Sequence, residues 1–102
     1  MWPVRLRYAP RARADIAEIY EYIAQHSPRA ATAVSAQIRA TGRLLAEYPD
    51  LGRATDISGV RVFPTARYPY LVYHSVRGED LVIVHVRHAR RDMPEEIQGL
   101  SR

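Results

Sequence analysis

The chain has 102 residues, 47% of them hydrophobic and 25% charged, a size and composition expected of one soluble globular domain spanning residues 1–102 with one core. The absence of cysteine excludes disulfides and thiolate chemistry. Net charge is +4 and all 15 strongly basic residues are arginine, so no lysine ammonium is available as a tunable general base, and anionic partners are favoured.

The opening Met-Trp-Pro-Val-Arg-Leu-Arg is interrupted by Arg5 and Arg7, so it lacks the apolar stretch of a signal peptide. No apolar run reaches the roughly 20 residues of a membrane span, and a cytoplasmic protein is expected. Pro3 to Tyr8 alternates Val4, Leu6 and Tyr8 against Arg5 and Arg7, the pattern of a half-buried strand. Pro10 suits a first helical turn. Ile16, Ile19, Tyr20 and Ile23 then form one apolar helix stripe, with Asp15, Glu18 and Glu21 on other faces. Arg11 and Asp15 are an i, i+4 pair.

Ser27 and Pro28 end this helix and begin the next, as cap and first residue. The second helix is predicted from Pro28 to about Tyr48, with Ala31, Val34, Ile38, Leu45 and Tyr48 on its stripe and Leu44 broadening it. Gly42 inside that helix costs about 1 kcal/mol relative to Ala, and close packing against the partner helix is the expected reason for it. Pro49 stops the helix, and 50–58 reads as a polar loop.

Three strand signals follow, at 59–64, 68–76 and 81–92. Their ends carry Arg61, Arg67, Arg87, His88, Arg90 and Arg91, a basic cluster suited to a polyanion or an acidic protein surface. No carboxylate dyad, nucleophile or metal-ligand cluster competes with it, and no cofactor or metal is expected. Residues 93–102 read as a short tail, with one or two turns of helix or fraying over 94–100. The order β-αα-βββ predicts a two-layer α+β domain: an N-terminal helical hairpin packed on a small antiparallel sheet, with the last three strands as a meander.

These segments resemble the RelE/ParE superfamily, the toxins of bacterial type II toxin–antitoxin pairs, over roughly residues 4 to 92. The resemblance rests on three blocks: Tyr8-Ala-Pro-Arg-Ala-Arg-Ala-Asp15 running on to Tyr20 and Ile23; Pro28-Arg-Ala-Ala31 with Tyr48-Pro-Asp-Leu-Gly-Arg53; and Gly59-Val-Arg61, Tyr68-Pro-Tyr-Leu-Val-Tyr73 and Val86-Arg-His88-Ala-Arg-Arg91-Asp92. The last is similar to the His-Gly-x-Arg-Asp ending of the ParE-like branch. The resemblance implies a RelE/ParE-like fold, a cognate antitoxin protein as partner and one of two targets. ParE-like members bind DNA gyrase without being enzymes themselves; RelE-like members cleave mRNA, usually on the ribosome. Fold alone does not separate them.

The resemblance also implies where a ribonuclease site would lie. Setting Leu-Val-Tyr (71–73) against the RelE-like pattern without gaps puts the first basic position on Arg61 and the arginine after the last strand on Arg91. The second basic position falls on Phe63, the second-strand arginine on Tyr70, and the terminal tyrosine has no counterpart. His88 is the one nearby ring able to move a proton near neutral pH, so Arg61, His88 and Arg91 form the candidate catalytic set if the chain is a nuclease. Otherwise His88 bonds the backbone where the strand leaves the sheet, and Arg91 with Asp92 fixes the tail. Under either mechanism Arg61, Arg67, Arg90 and Arg91 are the expected target-binding residues, on the side of the sheet away from the helices. His85 reads as a satisfied sheet residue, and His74 and His26 carry no chemical signal. Tyr22, off the helix stripe, and Trp2 are candidates to lie under a partner.

Overall fold

A computed structural model describes residues 5–90. Trp2, Arg91, Asp92 and the tail over 93–102 lie outside the described residues. The elements are β1 (Arg5–Tyr8), α1 (Pro10–Ala24), α2 (Pro28–Glu47), β2 (Arg53–Ala54), β3 (Arg61–Pro64), β4 (Tyr70–Arg77) and β5 (Asp80–His88). The predicted α+β arrangement holds, with the helical hairpin on one face of the sheet.

Both helices start as their sequences dictate. Each has proline in its first turn, and Ser27 Oγ accepts a hydrogen bond from the Ala30 N–H at 3.1 Å to cap α2. The core between the layers joins Ala12 and Ile16 of α1, Val34, Ile38 and Leu45 of α2, and Tyr70, Val72, Leu81, Ile83 and Val86 of the sheet. Each large apolar side chain buried there contributes roughly 1.5–3 kcal/mol. Tyr20 and Tyr48, expected on the apolar stripes, are 39% and 55% exposed. Tyr48 is the C-cap of α2, beyond its last helical turn.

The sheet runs β1-β5-β4-β3-β2. Its last three strands form the expected antiparallel meander, but β1 pairs parallel to β5, so the sheet is mixed. A two-residue turn joins β4 to β5, with Gly78 at φ +61° in its first position, the conformation that glycine supplies for a type II′ hairpin. The 50–58 segment was expected to be loop throughout; within it Arg53–Ala54 forms β2 against β3. Gly52 (φ +92°) allows this, because a Cβ there would meet the Val62 carbonyl oxygen at 2.4 Å.

Gly42 does not serve a helix–helix contact as expected. Its absent side chain leaves room for Tyr8 of β1, whose hydroxyl would lie 2.5 Å from a Cβ at that position. That hydroxyl is buried and finds no hydrogen-bond partner among the described residues, while the Arg39 guanidinium sits over the ring, 5.4 Å from its centre.

A bulge in β5 sets which residues face which side. Tyr73 pairs with His85 but His74 pairs with Ile83, leaving Val84 as an extra residue. An extra residue shifts the alternation of everything beyond it. Before the bulge Leu81 and Ile83 face the helices; after it Val86 does, and His85 and Arg87 turn to the opposite face. There Val60, Val62, Tyr73, Leu71 and Val84 form a second, smaller apolar cluster.

Candidate functional site

The turn between β3 and β4 meets the end of β5 at one end of the sheet. The Thr65 N–H bonds the Tyr70 carbonyl, the Thr65 hydroxyl bonds the Tyr68 carbonyl, and the Ala89 N–H reaches Pro69 O at 2.7 Å. These contacts bring Arg67 and Arg90, both exposed, to the same end as His88. Arg67 stacks over the Tyr68 ring at 5.8 Å. The His88 ring meets Tyr70 edge-on with centres 5.2 Å apart, and its Nδ1 accepts the Arg90 N–H at 3.0 Å. The ring therefore engages the backbone where the strand leaves the sheet.

Arg61 is elsewhere. It pairs with His74, while His88 pairs with Tyr70, four residues further along β4. That is about 13 Å along the strand and about 10 Å across two strand spacings. Arg61 was also expected away from the helices, with Arg67 and Arg90. It shares instead the helix-facing side with Phe63, Val72 and His74, because cross-strand partners point to one face. Its Nη1 donates to Gly52 O at 2.8 Å, and His74 Nε2 donates to Leu51 O at 3.1 Å. The two cross-strand neighbours thus hold successive carbonyls of the turn that follows α2. Burial keeps His74 below its ordinary histidine pKa, although the Val72 and Leu51 carbonyls beside its ring favour the charged form. Beside them is a pocket of about 410 Å³, lined in part by Thr55, Ser58, Arg61 and His74. Of the four expected target-binding arginines, the fold gathers Arg67 and Arg90, places Arg61 apart, and Arg91 lies outside the described residues.

Two buried polar groupings escaped the sequence reading. Asp15 does not simply sit on an outer helix face. Its Oδ2 accepts from His85 Nδ1 at 2.6 Å and from the Val86 N–H at 3.0 Å, while Arg11 Nε lies 3.4 Å from Oδ1. β1 ends opposite Ile83, so the Val86 N–H is on a strand edge that β1 no longer covers, and the carboxylate satisfies it. Partial burial pushes Asp15 upward, but the His85 and Val86 hydrogen bonds outweigh it and hold the carboxyl below its ordinary range. On the same sheet face as His85, the buried Arg87 donates from Nε to the Tyr73 hydroxyl at 3.0 Å and from Nη1 to His88 O at 3.1 Å. The one signal in the sequence was a histidine and an arginine inside the otherwise apolar run 81–87.

Among the described residues no cluster of His, Cys, Asp and Glu has the geometry to hold a metal ion, and no helix is long and apolar enough to cross a membrane. The assembled end of the sheet offers two exposed guanidiniums flanked by tyrosines and a backbone-tethered imidazole. Two guanidiniums so placed can hold an acidic group.

Comparison with known proteins places this geometry in context. Residues 6–93 match the model of the ParE toxin of the type II toxin–antitoxin system parDE. Toxin RelE2 of Caulobacter vibrioides is 36% identical over 83 residues, covering 79% of this chain and 90% of that protein. The fold is similar to the chromosomal ParDE toxin–antitoxin system of P. aeruginosa, with TM-score 0.77 and 23% identity over 86% of this chain and 98% of that one. It is also similar to the RelBE2 toxin–antitoxin complex of Mycobacterium tuberculosis, with TM-score 0.58 and 22% identity over 86% and 93% of the two chains.

Proposed function

The chain belongs to the RelE/ParE superfamily of type II toxin–antitoxin toxins, within its ParE toxin family, and from that membership we propose that it arrests growth in the cytoplasm by binding DNA gyrase, restrained by a cognate antitoxin. Binding rather than cleavage is supported chiefly by the separation of Arg61 from His88 across the sheet. Metal-free RNA cleavage needs a group to activate the 2′-hydroxyl, cations on the phosphate and an acid for the leaving oxygen, all within reach of one another. Arg61 is committed to the Gly52 carbonyl and His88 Nδ1 to the Arg90 amide. Phe63 and Tyr70 stand where RelE-like enzymes resemble one another in carrying cations. Arg67 and Arg90 then serve as target contacts, with Arg91 beside them in sequence.

The antitoxin's surface is the helical hairpin and its flank, where Tyr20, Tyr22, Leu44 and Tyr48 are exposed. Folding of a partner segment onto it would bury on the order of 1,000 Å² or more. Purification from the native operon should yield a complex with a small companion protein; a lone monomer would contradict this part of the reading.

One observation favours a second reading, a ribosome-dependent mRNA endonuclease using Arg61, His88 and Arg91: the Caulobacter relative bears the name RelE2. Induction in cells separates the two. Gyrase poisoning gives filaments and a DNA-damage response, whereas mRNA cleavage gives rapid loss of translation without early DNA damage.

A further inference from the structure

We propose that the chain carries a phosphate-binding pocket where β1 meets α1, formed by Arg7, Arg13 and Arg77 above Val82. It lies at the opposite end of the sheet from Arg67 and Arg90 and does not depend on the identity of the toxin's target. The pocket measures about 310 Å³ and is lined by these residues together with Pro10 and Asp80.

Its charge is unbalanced. Asp80 is the one acidic residue in the lining, and both its oxygens are taken by β1, Oδ1 by Arg5 Nε at 2.9 Å and Oδ2 by Arg7 Nη1 at 3.0 Å. Arg13 and Arg77 have no carboxylate partner among the described residues. Several guanidiniums around one concavity repel one another, and an anion entering among them relieves that repulsion.

The sheet register sets the geometry. Arg5 and Arg77 lie on either side of Asp80, on β1 and β4, and Arg7 is beside Val82. β1 and β4 are about 10 Å apart across β5, so Arg7 and Arg77 approach from opposite flanks while Arg13 comes from the first turns of α1. Donors arriving from three directions suit a tetrahedral group with several acceptor oxygens and up to two charges. A planar carboxylate is satisfied by a single guanidinium fork. The volume also leaves room for a group attached to the phosphate, which a phosphomonoester or a nucleic-acid backbone would supply.

Amide NMR of the full chain, free and in its antitoxin complex, tests this with inorganic phosphate as the probe. Saturable shifts are expected at Ala9, Arg13, Gly78 and Val82, and the Arg13→Gln/Arg77→Gln double variant should bind at least about tenfold more weakly with an unchanged melting temperature. A labelled single-stranded DNA oligonucleotide distinguishes the sources. Binding much tighter than inorganic phosphate, competed by it and weakened by salt, identifies a nucleic-acid backbone; binding no tighter identifies a small phosphate compound. Absence of shifts at these amides, or equal affinity in the double variant, overturns the proposal. So does a response to polyglutamate without one to phosphate, which would assign the pocket to an acidic protein.

Discussion

His85 Nδ1 and Asp15 Oδ2 lie 2.6 Å apart although 70 residues separate them in the chain. Together with the Val86 N–H on the same oxygen, this contact ties the first helix to the last strand where β1 ends. Asp15→Ala would remove the acceptor of His85 Nδ1 and of the strand-edge Val86 N–H, with an expected loss of about 2–3 kcal/mol in urea unfolding at pH 7. The carboxyl is depressed in the folded state, so its contribution is present above the ordinary value of 3.8 and is lost as pH falls through the folded value. The gap between parent and variant should therefore close in acid. A loss below about 0.5 kcal/mol, or a gap that stays constant to low pH, would show that the contact does not stabilise the fold.

His74 works in the opposite range. Its folded pKa lies below the ordinary 6.5 because burial disfavours the charged ring. The unfolded chain then binds more protons as pH drops below 6.5, and stability should fall there. His74→Gln keeps a donor for Leu51 O without a titrating group. The expected result is a lower melting temperature at pH 7.5 but a shallower decline between about pH 6.5 and 5. An unchanged slope would show that His74 does not cause the decline.

Gly42 and Tyr8 should be coupled. Gly42→Ala gains about 1 kcal/mol of helix propensity, but its new methyl meets the Tyr8 hydroxyl, and overpacking costs roughly 1–3 kcal/mol. The single variant should be destabilised. Tyr8→Phe removes a buried hydroxyl with no partner among the described residues, so the double variant should match or exceed the parent in thermal unfolding. Additive effects would contradict the packing described.

What was legible in the sequence was local. Ser27, Pro28 and Pro49 announce the ends of the helices through backbone chemistry that needs no distant partner, and the apolar stripes of both helices identify most of the helical side of the core. Non-local pairings left no mark. The parallel seat of β1 beside β5 depends on where the chain returns 75 residues later, and β2 owes its two residues to a partner strand. The bulge at Val84 is a single extra residue inside an apolar run, invisible to a reading that assumes strict alternation. It turns His85 and Arg87 to the face opposite the helices. Arg61 was assigned to the wrong face for a related reason: its position relative to His74, and so to the turn after α2, follows from the β3–β4 register. Arg67 and Arg90 were legible as a pair because both sit at strand ends that a meander brings together.

That pair gives a prediction about toxicity. Arg67 and Arg90 are exposed, so Arg67→Ala and Arg90→Ala should weaken growth arrest in cells while leaving antitoxin binding and melting temperature nearly unchanged. Surface substitutions of this kind fall within about 0.5 kcal/mol of neutral. Arg61→Ala should differ by lowering stability, since it releases the Gly52 carbonyl. If both exposed-arginine variants stay folded and fully toxic, the target surface lies elsewhere, with the hairpin around Tyr22 next to test.

The most direct test is a DNA supercoiling assay with purified gyrase and the purified chain, run with and without its antitoxin and repeated with His88→Ala. Inhibition of supercoiling by the parent is expected, with reversal by antitoxin and retention in His88→Ala apart from any folding loss. Gyrase left untouched, together with mRNA cut on programmed ribosomes and cleavage falling by about 10²–10⁴-fold in His88→Ala, would contradict the account and make the chain a nuclease.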